Sequence, residues 1–133
     1  MKNSFCRALL SLALMGMALL AYSQNPLKVG DVLPKQFWET PLQMVNTPQK
    51  TTTLSADKDK LILLDFWNTW CSACILNFPK MEELQKQLGD KIKILAVSNQ
   101  DRTTLEKFFA SKNGSKYNAV KSIAGDKMMH KLF

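Results

Sequence analysis

One histidine and three cysteines in 133 residues leave little from which to build a metal site. A structural zinc centre needs four ligands, and beside Cys71 and Cys74 there is no second pair to complete one. Covalent haem attachment needs a histidine directly after the second cysteine, where this chain has Ile75. The seven methionines fall in no cluster with histidine or cysteine spacing, so they read as core filler. The net charge is +7, but the lysines are scattered, with no dense basic run interleaved with aromatics. A nucleic-acid partner is excluded on that ground. No internal repeat, low-complexity segment or interdomain linker is visible, and the length suits a single domain.

Long apolar runs are also few. The first is Ala8–Ala21, fourteen residues behind the short basic segment MKNSFCR, and Ala21-Tyr22-Ser23 puts small residues where a signal peptidase reads. Fourteen residues fall short of the roughly 20 that a membrane-spanning helix requires. The expectation is a secretory signal over 1–23, cleaved before Gln24, with no stable membrane span afterwards. Cys6 precedes the apolar run and so is not placed for lipid attachment. The remainder, 24–133, is expected in the periplasm or the extracytoplasmic cell envelope. Cleavage removes Cys6 and leaves Cys71 and Cys74, too close together in sequence to staple much of a fold. Their role is therefore expected to be chemical.

The stretch LILLDFWNTWCSACILNFP, Leu61 to Pro79, organises the rest. Leu61–Trp67 is apolar apart from Asp65 and predicts a buried strand. The residues after Cys71-Ser72-Ala73-Cys74 have the apolar spacing of a helix. A C-x-x-C at such a junction lies on the first helical turn. Unpaired N–H groups and the helix dipole there favour a thiolate over a thiol. Cys71 is expected to attack and Cys74, one turn on, to resolve.

DFWNTWCSACILNFP resembles the active-site segment of the thioredoxin superfamily, and more closely that of the exported TlpA/ResA-like thiol–disulfide oxidoreductases. Trp70 directly precedes the first cysteine, as in that family. Asp65 falls where the family has a buried carboxylate that handles the proton of the second cysteine, and Pro79 where it kinks the active-site helix. Val29-Gly30-Asp31 with Pro34 resembles the opening of exported thioredoxin-like and peroxiredoxin-like domains. One departure is Asn77, where many TlpA/ResA-like proteins carry glutamate, so any tuning by that glutamate is absent. The resemblance covers roughly 29–133. It implies a thioredoxin-like α/β fold, no cofactor beyond a redox-active Cys71–Cys74 disulfide, and Ser72-Ala73 helping to set the potential. It also implies disulfide-containing exported proteins as substrates, apocytochromes among them, and an upstream electron donor.

The rest of the chain fits alternating strands and helices. Residues 24–60 read as an N-terminal extension with a short strand at Thr51–Leu54 and a charged turn at Asp57–Lys60. Phe78, Met81, Leu84 and Leu88 mark one face of a helix ending near Gly89, and Ile92–Ser98 reads as a second buried strand. Asp101 caps a helix striped by Leu105, Phe108 and Phe109 and stopped by Asn113-Gly114; Tyr117–Ile123 reads as a strand. A last helical turn after Gly125-Asp126 points Met128, Met129 and Leu132 inward, and His130 reads as a surface residue.

Members of the resembled family continue with a cis-proline, a hairpin and a helix that cannot be assigned before Phe133. Without that hairpin, Leu61–Trp67 is expected to become an open sheet edge, which puts the burial of Asp65 at risk. The competing reading is an incomplete thioredoxin-like domain that serves as a binding module or does not fold alone. A peroxiredoxin would share the fold, but it sets its reactive cysteine among proline and threonine, and Asn68-Thr69-Trp70 has no proline.

Overall fold

The structure is a computed structural model, and it describes residues 26–133. The expected signal segment and Cys6 lie outside the described residues. Among these residues five strands form one mixed sheet in the order β2-β1-β5-β4-β3. The strands are β1 (Leu42–Val45), β2 (Thr51–Thr52), β3 (Leu61–Phe66), β4 (Ile92–Val97) and β5 (Ser122–Ala124). Four α-helices accompany them: α1 (Lys35–Glu39), α2 (Ser72–Leu88), α3 (Arg102–Ala110) and α4 (Met129–Leu132).

The parallel pair β3 and β4 matches Leu61 with Ile92 through to Phe66 with Val97, with α2 as the crossover. Antiparallel β1 joins β5 through Val45 and Ser122, so residues of the N-terminal segment complete the same sheet. Side chains alternate between the two faces. Leu95, Val97 and Ile123 pack with Phe37, Leu54 and Met129 on one face. Ala96 and Ala124 pack with Trp67, Phe78 and Leu105 on the other. Each large side chain buried this way stabilises the fold by about 1.5–3 kcal/mol relative to exposure.

Among the described residues β3 takes the open edge expected for it without the hairpin, so the run read as a buried strand is only half-buried, with Leu61 65% exposed. Two further local expectations are corrected. Helix α3 stops at Ala110, short of Asn113-Gly114, because the Ser111 hydroxyl takes over the carbonyl of Phe108. Gly114 serves the next turn instead, where a Cβ would collide with that same carbonyl oxygen. The final strand begins at Ser122, not at Tyr117, which closes a 3-10 turn from Ser115. Tyr117 and Val120 are buried there without pairing, their carbonyls accepting from Asn46 Nδ2 at 2.9 and 2.8 Å.

The charged turn at Asp57–Lys60 is a small ion-pair cluster. Asp57 is buried and meets Lys60 at 2.7 Å and Lys93 at 3.4 Å. Burial pushes its carboxyl up, but the Lys60 hydrogen bond and the charges of Lys93 and Lys60 outweigh that and hold it below its ordinary value.

Candidate active site

The strand β3, the irregular segment 67–70 and the first turn of α2 assemble the site. Trp67 ends the anchored part of the segment. It is 2% exposed, with its ring 5.0 Å from Phe78 and 5.7 Å from Phe109. Its N–H continues the ladder by donating to Val97 O at 3.0 Å. Beyond it the chain turns outward, and Cys71 N–H donates to Asn68 O at 2.9 Å to close the turn.

Cys71 is the N-cap of α2, with φ −85° and ψ 86°. Its Sγ accepts a hydrogen bond from the N–H of Cys74 at 3.3 Å, and the two cysteines form a disulfide. The N–H groups at the start of a helix lack intrahelical acceptors. Here one of them is aimed at the sulfur that would carry negative charge after reduction, the arrangement that lowers a thiol pKa.

The other expected site residues lie on β3, on the turn after it and along α2. Trp70 is 76% exposed beside Cys71, and Ser72 and Ala73 are exposed on the first helical turn. Pro79 lies inside α2, where its missing N–H leaves the carbonyl of Ile75 without its usual donor. Asn77 is exposed. Asp65 sits near the end of β3, half-buried, and its Oδ2 is buried with no hydrogen-bond partner. Burial raises its pKa above the ordinary 3.8. The edge position of β3 thus leaves Asp65 its desolvation.

Sequence reasoning missed the groups that hold the segment. Gln100, just past β4, accepts from the Thr69 N–H at 2.7 Å and donates to Thr69 Oγ1 at 3.1 Å. Ser98 Oγ donates to Asn68 Oδ1 at 3.2 Å. The available signal was positional: Ser98-Asn99-Gln100 is a polar run at the carboxyl end of a parallel strand, where α/β sheets place their sites. A cavity of about 470 Å³ opens elsewhere, lined by Met44, Gln85, Ile94 and Lys121 among others, and none of Asp65, Trp70, Cys71 or Cys74 lines it.

Residues 29–127 match the model of the AhpC/TSA family. The thioredoxin-like protein YneN of Bacillus subtilis is 45% identical over 47 residues, which are 35% of this chain and 28% of that protein. Among solved structures, peroxiredoxin Q of Xanthomonas campestris superposes with a TM-score of 0.59 at 24% identity, covering 77% of this chain and 63% of that one. A thiol–disulfide oxidoreductase from Bacteroides fragilis superposes at 0.51 with 18% identity, covering 69% of each chain. These structures show that the fold is thioredoxin-like. The chain spans about a quarter of the YneN protein and under two-thirds of the peroxiredoxin.

Proposed function

The chain belongs to the AhpC/TSA family, and from that premise we propose that it is a thiol–disulfide oxidoreductase of the TlpA/ResA-like kind. Its place would be outside the cytoplasm, as the leader-like segment at 1–23 suggests. The observation that carries the reading is the Cys71–Cys74 pair at the start of α2, with the Cys74 N–H on Cys71 Sγ at 3.3 Å.

In the reduced protein the Cys71 thiolate attacks a substrate disulfide. A Cys71–substrate S–S bond forms, the substrate bond breaks, and one substrate sulfur leaves as thiolate. Cys74 then loses its proton and attacks Cys71 Sγ. The internal disulfide closes and the second substrate sulfur departs, so two electrons have passed to the substrate. Asp65, held above its ordinary pKa by burial, is the group suited to take the Cys74 proton, through a water. An external dithiol donor resets the pair. Substrates would be disulfide-bonded exported proteins, with apocytochromes one class, and no cofactor takes part.

The family match and the peroxiredoxin superposition favour one second reading, reduction of a peroxide by Cys71 with Cys74 resolving. The test is Cys74→Ser, which stops the second step. With a disulfide-bonded protein as substrate, a Cys71 mixed disulfide accumulates and is seen by intact mass. With peroxide alone, the second reading predicts an oxidised Cys71 formed in stoichiometric burst, and the first predicts none above the rate of a free thiol.

A further inference from the structure

We propose that Gln100 is a positioning residue for the disulfide pair, its side-chain amide clamping Thr69 and so holding the loop that presents Trp70 and Cys71 to a disulfide substrate. The inference rests on reading Cys71 and Cys74 as the reacting pair.

Packing cannot hold this loop. Its apolar anchorage ends at Trp67, and Trp70 at the tip is 76% exposed. Residues 68–70 belong to no helix or strand, so their backbone groups must be satisfied from elsewhere. Side-chain hydrogen bonds reach this stretch from Ser98 and Gln100, both at the carboxyl end of β4. Gln100 uses both ends of its amide on one residue, Oε1 on the Thr69 N–H at 2.7 Å and Nε2 on the Thr69 hydroxyl at 3.1 Å. A two-point contact fixes direction as well as distance.

The clamp is itself rooted. Gln100 N–H donates to Ser98 Oγ at 3.3 Å, and the Gln100 carbonyl accepts from Gly125 N–H at 2.7 Å. Ser98 is fully buried, its N–H on Ile123 O at 3.0 Å and its carbonyl accepting from Asp126 N–H at 2.9 Å. Gln100 thus transmits the position of the sheet to Thr69, two residues before Cys71. The turn from Asn68 to Cys71 closes on one backbone bond. If Thr69 is released, that turn loosens and Cys71 Sγ drifts from the Cys74 N–H.

The test uses the full chain carrying Cys6→Ser, with Gln100→Ala, Thr69→Val and Thr69→Ser compared. Gln100→Ala is expected to slow reaction with a small aromatic disulfide about tenfold, since misplacing a reacting group by a fraction of an ångström is enough for that. With Cys74→Ser added, the apparent pKa of Cys71 from alkylation rates should rise toward the value of about 8.5 for a free thiol. Circular dichroism should show the same folded fraction. Wild-type rate and titration in a folded Gln100→Ala protein overturn the proposal, as does a slowing that only matches lost folded protein. If Gln100→Ala does not fold, the Thr69 pair decides. Serine keeps both clamped groups and should react faster than valine, which lacks the hydroxyl; equal rates overturn the clamp. A wild-type chain that alkylates normally but exchanges with no disulfide sinks the oxidoreductase reading instead, and the Cys71 titration still reports on Gln100.

Discussion

The indole Nε1 of Trp67 donates to Ser122 Oγ at 2.9 Å, joining residues 55 apart in sequence inside the core. Trp67 leads out of β3 toward the disulfide and Ser122 opens β5, whereas β4 lies between these strands. Ser122 Oγ also lies 3.1 Å from Ala96 O on β4. One hydroxyl therefore ties the root of the active-site loop to β5 and β4. Ser122→Ala should leave a buried indole N–H without an acceptor, at a cost of about 1–3 kcal/mol. For a domain of this size each kcal/mol lowers the melting temperature by about 4–8 °C. Thermal unfolding followed by tryptophan fluorescence measures it.

Asp65 is expected to oppose stability in order to serve chemistry. Its folded pKa lies above the unfolded one, so the folded state holds the proton more tightly and stability falls as pH rises upward from about 3.8 through the folded value. Asp65→Asn removes that penalty. The variant should melt a few degrees higher than wild type at pH 7, with the advantage gone at pH near 3. It should also exchange disulfides more slowly at pH 7, because nothing then accepts the Cys74 proton. Melting curves across pH, read beside exchange rates, separate the two effects.

Asp126 is buried and receives three hydrogen bonds from the last helix: Met129 N–H at 3.1 Å, His130 N–H at 2.9 Å and His130 Nδ1 at 2.8 Å. The expected surface position of His130 holds, but its ring also lies 4.7 Å from that of Phe66 on β3. Helix α4 spans only four residues and buries Met129 and Leu132, and the Asp126 carboxylate takes up its first two N–H groups. Asp126→Ala should cost about 1–2 kcal/mol, seen as an earlier melt and faster amide exchange at Met129 and His130.

Among the described residues the outer edge of β3 is left unpaired beside Leu61, which is 65% exposed. Such an edge templates pairing with other chains unless charge blocks it. Purified protein should show concentration-dependent association in sedimentation. Leu61→Lys should reduce it without altering the rate of disulfide exchange.

What could be read from residues alone was the segment where local pattern and tertiary role agree. Leu61–Phe66, Ser72–Leu88 and Ile92–Val97 carry apolar runs or stripes of the right length, and Asp101 caps α3 as its position requires, its Oδ1 accepting from Thr104 N–H at 2.9 Å. The disulfide and its place at the helix start followed from the same spacing. Errors came where contacts are non-local. An apolar run reads as a buried strand, whereas β3 is half-buried at the sheet edge among the described residues. Tyr117 and Val120 look like strand residues because they are buried, yet their carbonyls bond Asn46 from the far side of the chain. Gln100 carries only the positional signal of a polar run after β4; its role exists because β4 ends beside the loop at Thr69.

The measurement that bears most directly on the central claim is reduction of a disulfide-bonded protein by the pre-reduced full chain, with peroxide consumption followed in parallel. The account predicts stoichiometric reduction with closure of the Cys71–Cys74 bond. Cys71→Ser should abolish it, and Cys74→Ser should stop at a mixed disulfide. Reduction no faster than that by a free dithiol, or rapid peroxide consumption with the protein disulfide left intact, would contradict it.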